Sequence, residues 1–246
     1  MLDLKLCASR QRQQPVETLN KIKIIHLGGE SLRPKHLAIE LSKLEPHPCN
    51  SAELEQYVTE GDLAAFWLLA IDQLDDLRNK SDLDLGSGNG VLGLGTAYLG
   101  ASEILLIEAD PIAHEVSKNN IAKVNEKFET KINSINAMIG IDEIELTRKY
   151  DIIIMNPPWG FQTEKADRPL LEFSFKLDAD SIYVLHSAKE KHLQAMAKDF
   201  GYEGEIVFET NFRLPAKYSH HVKKSTMTDA RCWRFHKTGD NKIMSE

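Results

Sequence analysis

From residue 81 onward the apolar positions alternate between two rhythms. Ser81–Leu85, Ile104–Ile107, Ile132–Ala137, Tyr150–Met155 and Ser181–His186 are short stretches whose apolar residues run together or are spaced by polar ones, and read as strands. Between them Val91–Leu99, Pro111–Phe128, Leu170–Leu177 and Ala188–Phe200 place apolar residues at helical spacing. Strands alternating with helices predict a parallel sheet with crossover helices, an α/β fold. Glu205–Phe212 and Asp229–His236 read as two closing strands joined by Pro215–Thr228, so the expected sheet is seven-stranded and mostly parallel, with a C-terminal antiparallel strand and helices on both faces. Upstream, Leu37, Leu41 and Leu44 share one face of a short docking helix that starts at Pro34 and ends at Pro46 and Pro48. Leu19–Leu27 mixes Lys and Ile at near-strand alternation before Gly28-Gly29, and is expected to be a peripheral strand or a poorly ordered extension. Residues 1–33 are thus an N-terminal extension, 34–237 the α/β domain and 238–246 a C-terminal tail.

The totals narrow the class. With 246 residues, 42% hydrophobic and 27% charged, the chain has the make-up of a globular domain with an appendage. Its apolar runs fall short of the roughly 20 residues that span a bilayer, and Met1–Gln14 lacks an apolar signal core, so no membrane is expected. Cys7, Cys49 and Cys232 are far apart and form no CxxC, which indicates neither a disulfide framework nor a zinc site and fits a reducing cytoplasm. The net charge of −7 is uneven: Arg213–Lys237 holds seven Lys/Arg against Asp229, a local +6 that leaves −13 on the remainder. A basic patch on an acidic body predicts contact with phosphate, and Lys217, Tyr218, His220, His221, Lys223 and Lys224 are the RNA-binding candidates. Adjacent histidines point apart, so the His220-His221 pair is not assigned a metal.

Two stretches carry chemistry. Asp84-Leu85-Gly86-Ser87-Gly88-Asn89-Gly90 follows the first core strand, and alternate glycines let the backbone turn tightly and approach a ligand. The second strand ends at Glu108, 22 residues beyond Gly86, where a carboxylate accepts hydrogen bonds from both hydroxyls of a ribose. Strand, glycine turn, helix, strand and acid make a nucleoside-binding unit. Gly88–Gly93 also fits the dinucleotide pattern G-x-G-x-x-G, but the frame from Asp84, D-x-G-x-G-x-G, places an acid on the strand and resembles the glycine motif of class I S-adenosylmethionine methyltransferases. The second stretch is Asp151–Gly160, where a buried-type strand runs into Asn156-Pro157-Pro158-Trp159. Two acceptors beside an aromatic plate at a strand's carboxyl end suit a planar group bearing an amino nitrogen, such as adenine or a carboxamide. Just before the long apolar helix that ends near Leu77, Thr59 and Asp62 have capping-box spacing, while Gln56 and Tyr57 are placed to face a ligand.

With these residues the chain resembles the methyltransferase-like protein five family, adenine N6 RNA methyltransferases of eukaryotes and archaea. The resemblance runs from about His36 to Phe235 through Leu54-Glu55-Gln56-Tyr57-Val58-Thr59, Asp84–Gly90, Asn156–Gly160, Tyr183-Val184-Leu185-His186 and Leu214-Pro215-Ala216-Lys217-Tyr218. It implies a Rossmann-like class I methyltransferase fold, S-adenosyl-L-methionine as cofactor, RNA (ribosomal above all) as substrate, and a small zinc-binding activator subunit. It places cofactor contacts at Gln56, Thr59, Gly86, Asn89, Val91, Glu108, Asn136 and Ala137, beside Asp84 and Gly88 of the glycine motif, and catalysis at Asn156, Pro157, Pro158 and Trp159. Trp159 stands where Phe or Tyr is usual, Asn89 where Cys can occur, and Asn136 where an Asp often binds adenine. The alternatives are a protein glutamine or DNA adenine methyltransferase using the same Asn-Pro-Pro motif, and a nicotinamide-dependent oxidoreductase or nucleotide-binding module.

Overall fold

The computed structural model describes residues 4–6, 25–27, 30–49, 51, 54–56, 58–161, 163–214 and 226–237. Three short strands come first, β1 (Leu4–Leu6), β2 (Ile25–Leu27) and β3 (Glu30–Leu32), followed by α1 (Pro34–Leu41) and α2 (Gly61–Asp75). The alternating part runs β4 (Ser81–Leu85), α3 (Val91–Ala97), β5 (Glu103–Glu108), α4 (Pro111–Asn125), β6 (Lys131–Asn136), β7 (Ile152–Met155), α5 (Arg168–Lys176), β8 (Ser181–Ser187) and α6 (Leu193–Asp199). Two long strands close it, β9 (Tyr202–Leu214) and β10 (Thr226–Lys237).

The sheet order is β1-β9-β10-β8-β7-β4-β5-β6. The central strands pair parallel, and β10 pairs antiparallel with both β8 and β9, so the expected seven-stranded arrangement is present. An eighth strand, β1, lies on its edge with Leu4 opposite Thr210. The N-terminal extension therefore contributes to the sheet, and it also holds the separate β2–β3 hairpin. β2 falls within the stretch expected to form a peripheral strand; residues 19–24 lie outside the described residues.

β4, β7 and β8 are buried along their full lengths, which is why β7 reads as a continuous apolar run, while β4 buries Asp82 and Asp84 between its leucines. Alternate residues feed two cores. Ile152 and Ile154 join Leu37, Trp67, Leu68 and Leu94 on the side of α1, α2 and α3. Ile153 and Met155 join Leu83, Leu171, Phe175 and Val184 on the side of α5 and α6. The sheet order reverses between β4 and β7, so the crevice at the carboxyl ends of these strands is the place where open α/β sheets bind ligands.

Three local expectations are corrected. Thr59 does not cap α2: the N-cap is Glu60, and the Thr59 hydroxyl is engaged by Asn156 instead. α6 starts at Leu193 rather than Ala188, because the Ala188 N–H still pairs with the Asp229 carbonyl at 2.9 Å and prolongs the sheet. The basic stretch is partly neutralised, since Arg231 pairs with Glu209, Arg234 with Asp75 and Glu205, and Lys237 with Asp178. Among the described residues no helix is long and apolar enough to cross a membrane, and no cluster of His, Cys, Asp and Glu could hold a metal ion.

Candidate active site

The crevice holds a cavity of about 300 Å³. Its floor is the turn after β4, where Gly86, Gly88 and Gly90 all have positive φ (+70°, +57° and +84°), a conformation that explains glycine at these positions. The Gly86 and Ser87 N–H groups both donate to the Ile107 carbonyl at 2.9 and 3.0 Å, strapping the turn to β5 before α3 begins. α3 lies so close that a Cβ on Gly93 would meet the Leu106 side chain at 2.4 Å. Asp84, buried beneath, accepts the Gly93 N–H at 2.8 Å; burial pushes its pKa up to about 7 despite that bond.

Glu108 closes β5 inside the cavity wall. Its two oxygens accept the Gly88 N–H at 2.6 Å and the Asp110 N–H at 2.8 Å, and burial raises its pKa against these bonds. Ala137 lines the cavity next to it. Asn136 does not: exposed at the end of β6, it donates from Nδ2 to the Glu108 and Ala109 carbonyls at 2.8 and 3.1 Å, bracing the wall from behind.

The Glu-Gln-x-x-Thr stretch resolves into three anchors. Glu55, only 2% exposed, accepts the Phe161 and Thr163 N–H groups at 3.0 and 2.9 Å and so holds the loop that follows Trp159. Gln56 accepts the Ser51 N–H at 2.9 Å and donates to Asp110 at 2.5 Å. The Thr59 hydroxyl accepts Asn156 Nδ2 at 3.1 Å, which leaves the buried Asn156 Oδ1 with no hydrogen-bond partner among the described residues. Pro157 and Pro158 line the cavity beside it.

Trp159 lies in the core, 6% exposed, donating from Nε1 to the Leu185 carbonyl at 3.1 Å. Its ring stacks on His186 at 5.8 Å and meets Phe161 at 6.1 Å. Asp167 Oδ2 in turn takes His186 at 3.1 Å and His192 at 2.7 Å, so the charged stretch 164–168 is tied to β8 and leads directly into α5. Burial alone would raise the Asp167 pKa, but the two histidines hold it below its ordinary value.

Gln56, Thr59, Asp84, Gly86, Gly88, Asn89, Val91, Glu108, Ala137, Asn156, Pro157 and Pro158 surround this one cavity. Val91 and Asn89 do so from the start of α3 and the turn before it, with Asn89 Nδ2 turned away to the Glu45 carbonyl at 2.8 Å. Tyr57 and the RNA-binding candidates Lys217, Tyr218, His220, His221, Lys223 and Lys224 lie outside the described residues. Sequence reasoning passed over His47, which lines the cavity, and the role of Glu55. No motif announces His47; Glu55 stood inside a quoted stretch, and its pairing with a loop more than a hundred residues away had no local signal.

Glu55, Asp84 and Glu108 line the cavity, and the described lining residues include no Lys or Arg. The family model for the methyltransferase small domain matches residues 61–182. An uncharacterised protein of Methanocaldococcus jannaschii is 33% identical over 217 residues, covering 85% of this chain and 96% of that one. The rRNA N(6)-adenosine-methyltransferase METTL5 of Danio rerio is 32% identical over 176 residues, covering 70% of this chain and 83% of its own. A crystal structure from Pyrococcus horikoshii, described as a candidate RNA methyltransferase, superposes with a TM-score of 0.74 at 32% identity and covers 85% of this chain and 99% of that one.

Proposed function

The chain belongs to the METTL5 family of rRNA N(6)-adenosine-methyltransferases, and from that premise we propose that it methylates the N6 amine of an adenosine in structured RNA, ribosomal RNA above all. S-adenosyl-L-methionine, when bound, supplies the methyl group from a sulfonium. The exocyclic amine is a poor nucleophile because its lone pair is delocalised into the ring. Its proton leaves easily once the nitrogen becomes cationic, so the site has to aim the amine rather than deprotonate it. Asn156 Oδ1 and the Pro157 carbonyl would accept the two amine hydrogens and turn the lone pair toward the methyl group. Fixing both reactants in this way lowers a barrier by roughly 7–11 kcal/mol.

One observation carries the reading: Thr59 holds the Asn156 amide by Nδ2 at 3.1 Å and leaves its buried Oδ1 unpartnered at the end of β7. A buried acceptor without a donor is costly, and its retention beside a cavity points to a donor that arrives with substrate. We assign the ribose of the cofactor to Glu108, its closest approach to the glycine turn from Asp84 to Gly90, and neighbouring contacts to Gln56, Thr59, Asn89, Val91 and Ala137. Asn136 acts through the wall it braces. Trp159, buried against His186 and outside the cavity lining, is assigned to holding the Asn156-Pro157-Pro158 turn in place behind the site, and the 217–224 stretch to RNA phosphates. The family resemblance further supports a small zinc-binding activator that adds a strand to a sheet edge, with β6 at one end of the sheet, and the cysteine pattern supports a cytoplasmic setting.

The test is incubation with labelled S-adenosylmethionine and separate RNA, DNA and protein pools, followed by nucleoside and amino-acid analysis. Label in N6-methyladenosine from RNA is expected. Label confined to DNA, or to protein glutamine, whose carboxamide satisfies the same acceptors, would overturn the RNA reading.

A further inference from the structure

His47 is the residue of the cavity wall that neither the glycine motif nor the Asn-Pro-Pro turn accounts for. It sits between Pro46 and Pro48 on a segment fixed from both sides. The Glu45 N–H donates to Asn120 Oδ1 at 2.7 Å, and the Glu45 carbonyl accepts Asn89 Nδ2 at 2.8 Å and Asn120 Nδ2 at 3.1 Å. The imidazole rests directly on the glycine turn: a Cβ on Gly88 would meet its Cδ2 at 2.5 Å and its Nε2 at 2.9 Å, so only glycine at 88 admits it.

The tautomer follows from the hydrogen bonds. Nδ1 accepts the Cys49 N–H at 2.9 Å, so the neutral ring carries its proton on Nε2, which makes no hydrogen bond among the described residues. Burial lowers the pKa of His47, with Asp110 opposing, which keeps the ring in this neutral, singly donating form. Next to it, the buried Ser87 hydroxyl on the same wall also lacks a partner. The other side-chain amides of the wall are engaged, Gln56 Nε2 with Asp110, Asn89 Nδ2 with Glu45 and Asn156 Nδ2 with Thr59. The His47 imidazole, resting on Gly88, and the hydroxyl of the preceding residue, Ser87, are thus two unpartnered donors among the residues lining this cavity, which also include Glu55, Asp84 and Glu108.

S-adenosylmethionine has one anionic group, the α-carboxylate of its amino-acid end. Glu55, Asp84 and Glu108 offer it acceptors rather than donors elsewhere on the wall. We propose that His47 Nε2–H and the Ser87 hydroxyl receive this carboxylate, so that the proline-flanked segment of residues 46–48 orients the amino-acid half of the cofactor while Glu108 takes the ribose. A hydrogen bond to a charged group in this setting is worth about a tenfold or greater change in affinity.

The experiment uses the full chain, calorimetry and two probes in the absence of RNA, so its outcome is independent of whether RNA adenosine is the substrate. S-adenosylhomocysteine has the carboxylate; 5′-methylthioadenosine keeps the nucleoside and thioether without the amino-acid end. His47→Met fills the space over Gly88 with no donor, and His47→Gln restores an N–H at similar reach. The Met variant should lose about tenfold or more in S-adenosylhomocysteine affinity and less than twofold in methylthioadenosine affinity, and the Gln variant should recover most of the loss. Equal losses for both probes, or unchanged S-adenosylhomocysteine binding in a Met variant that melts like wild type, would overturn the assignment.

Discussion

Thr59→Val tests whether a hydroxyl outside the Asn-Pro-Pro motif sets the aim of the reaction. Valine keeps the shape of threonine and removes the acceptor that takes Asn156 Nδ2 at 3.1 Å. A neutral hydrogen bond of this kind contributes about 0.5–1.5 kcal/mol. Without it the productive orientation of the Asn156 amide loses that much of its advantage, which corresponds to a fall of roughly 2- to 12-fold in the chemical step at 1.4 kcal/mol per tenfold. Stability should fall as well, by about 1–3 kcal/mol, because a buried N–H is left without a partner. Thr59→Ser retains the hydroxyl and should stay near wild type in both respects. The assay is single-turnover methylation at saturating cofactor and RNA, where weakened binding drops out, with thermal melts on the same preparations. Asn156→Ala provides the scale: cofactor and RNA still bind, and turnover is nearly abolished. A Thr59→Val enzyme with a wild-type single-turnover rate, beside an inactive Asn156→Ala enzyme, would refute the idea that Thr59 orients the amide.

How much of this was legible in the sequence depended on where each partner lay. β7 announced itself because a strand buried on both faces is a run of apolar residues, here Ile152–Met155. The glycine turn was legible because alternate positive-φ residues leave an alternate-glycine imprint. β1 was not, since three residues paired to Phe208, Glu209 and Thr210 at the far end of the chain carry too little pattern of their own. Thr59 shows the opposite failure. Its spacing to Asp62 fits a capping box, yet a tertiary bond to Asn156 took the hydroxyl, and local spacing holds no record of that competitor. His47 left only an indirect mark, the glycine at 88 that makes room for its ring, and glycine there already had a reason in the turn.

Three further outcomes are expected. Glu108→Ala should weaken S-adenosylmethionine binding by about 1.5–3 kcal/mol in calorimetry, and unchanged affinity in a folded variant would remove Glu108 from the site. At Trp159, Phe keeps a π face and should retain much of the activity, whereas Ala should cost about 3–5 kcal/mol of stability for a side chain 6% exposed; activity per folded molecule should then fall by a further ~1–3 kcal/mol of base binding if the ring stacks on adenine, and stay level if it only packs. Asp82→Asn probes a buried carboxyl beneath the site. Asp82 is fully buried, its oxygens lack partners of hydrogen-bonding geometry, and burial pushes its pKa from an ordinary 3.8 up to about 7, the Thr96 hydroxyl easing this only in part. Because the folded value lies above the unfolded one, no penalty exists below pH 4, where both states are protonated. Between pH 4 and 7 the unfolded chain ionises first and native stability falls by about 1.4 kcal/mol per pH unit, up to about 4 kcal/mol above pH 7. Asn cannot ionise, so urea unfolding should find the variant close to wild type at pH 4 and more stable by about 2–4 kcal/mol at pH 8. A gap of the same size at both pH values would mean that Asp82 is ionised throughout and satisfied by a donor, and that its burial has no electrostatic cost.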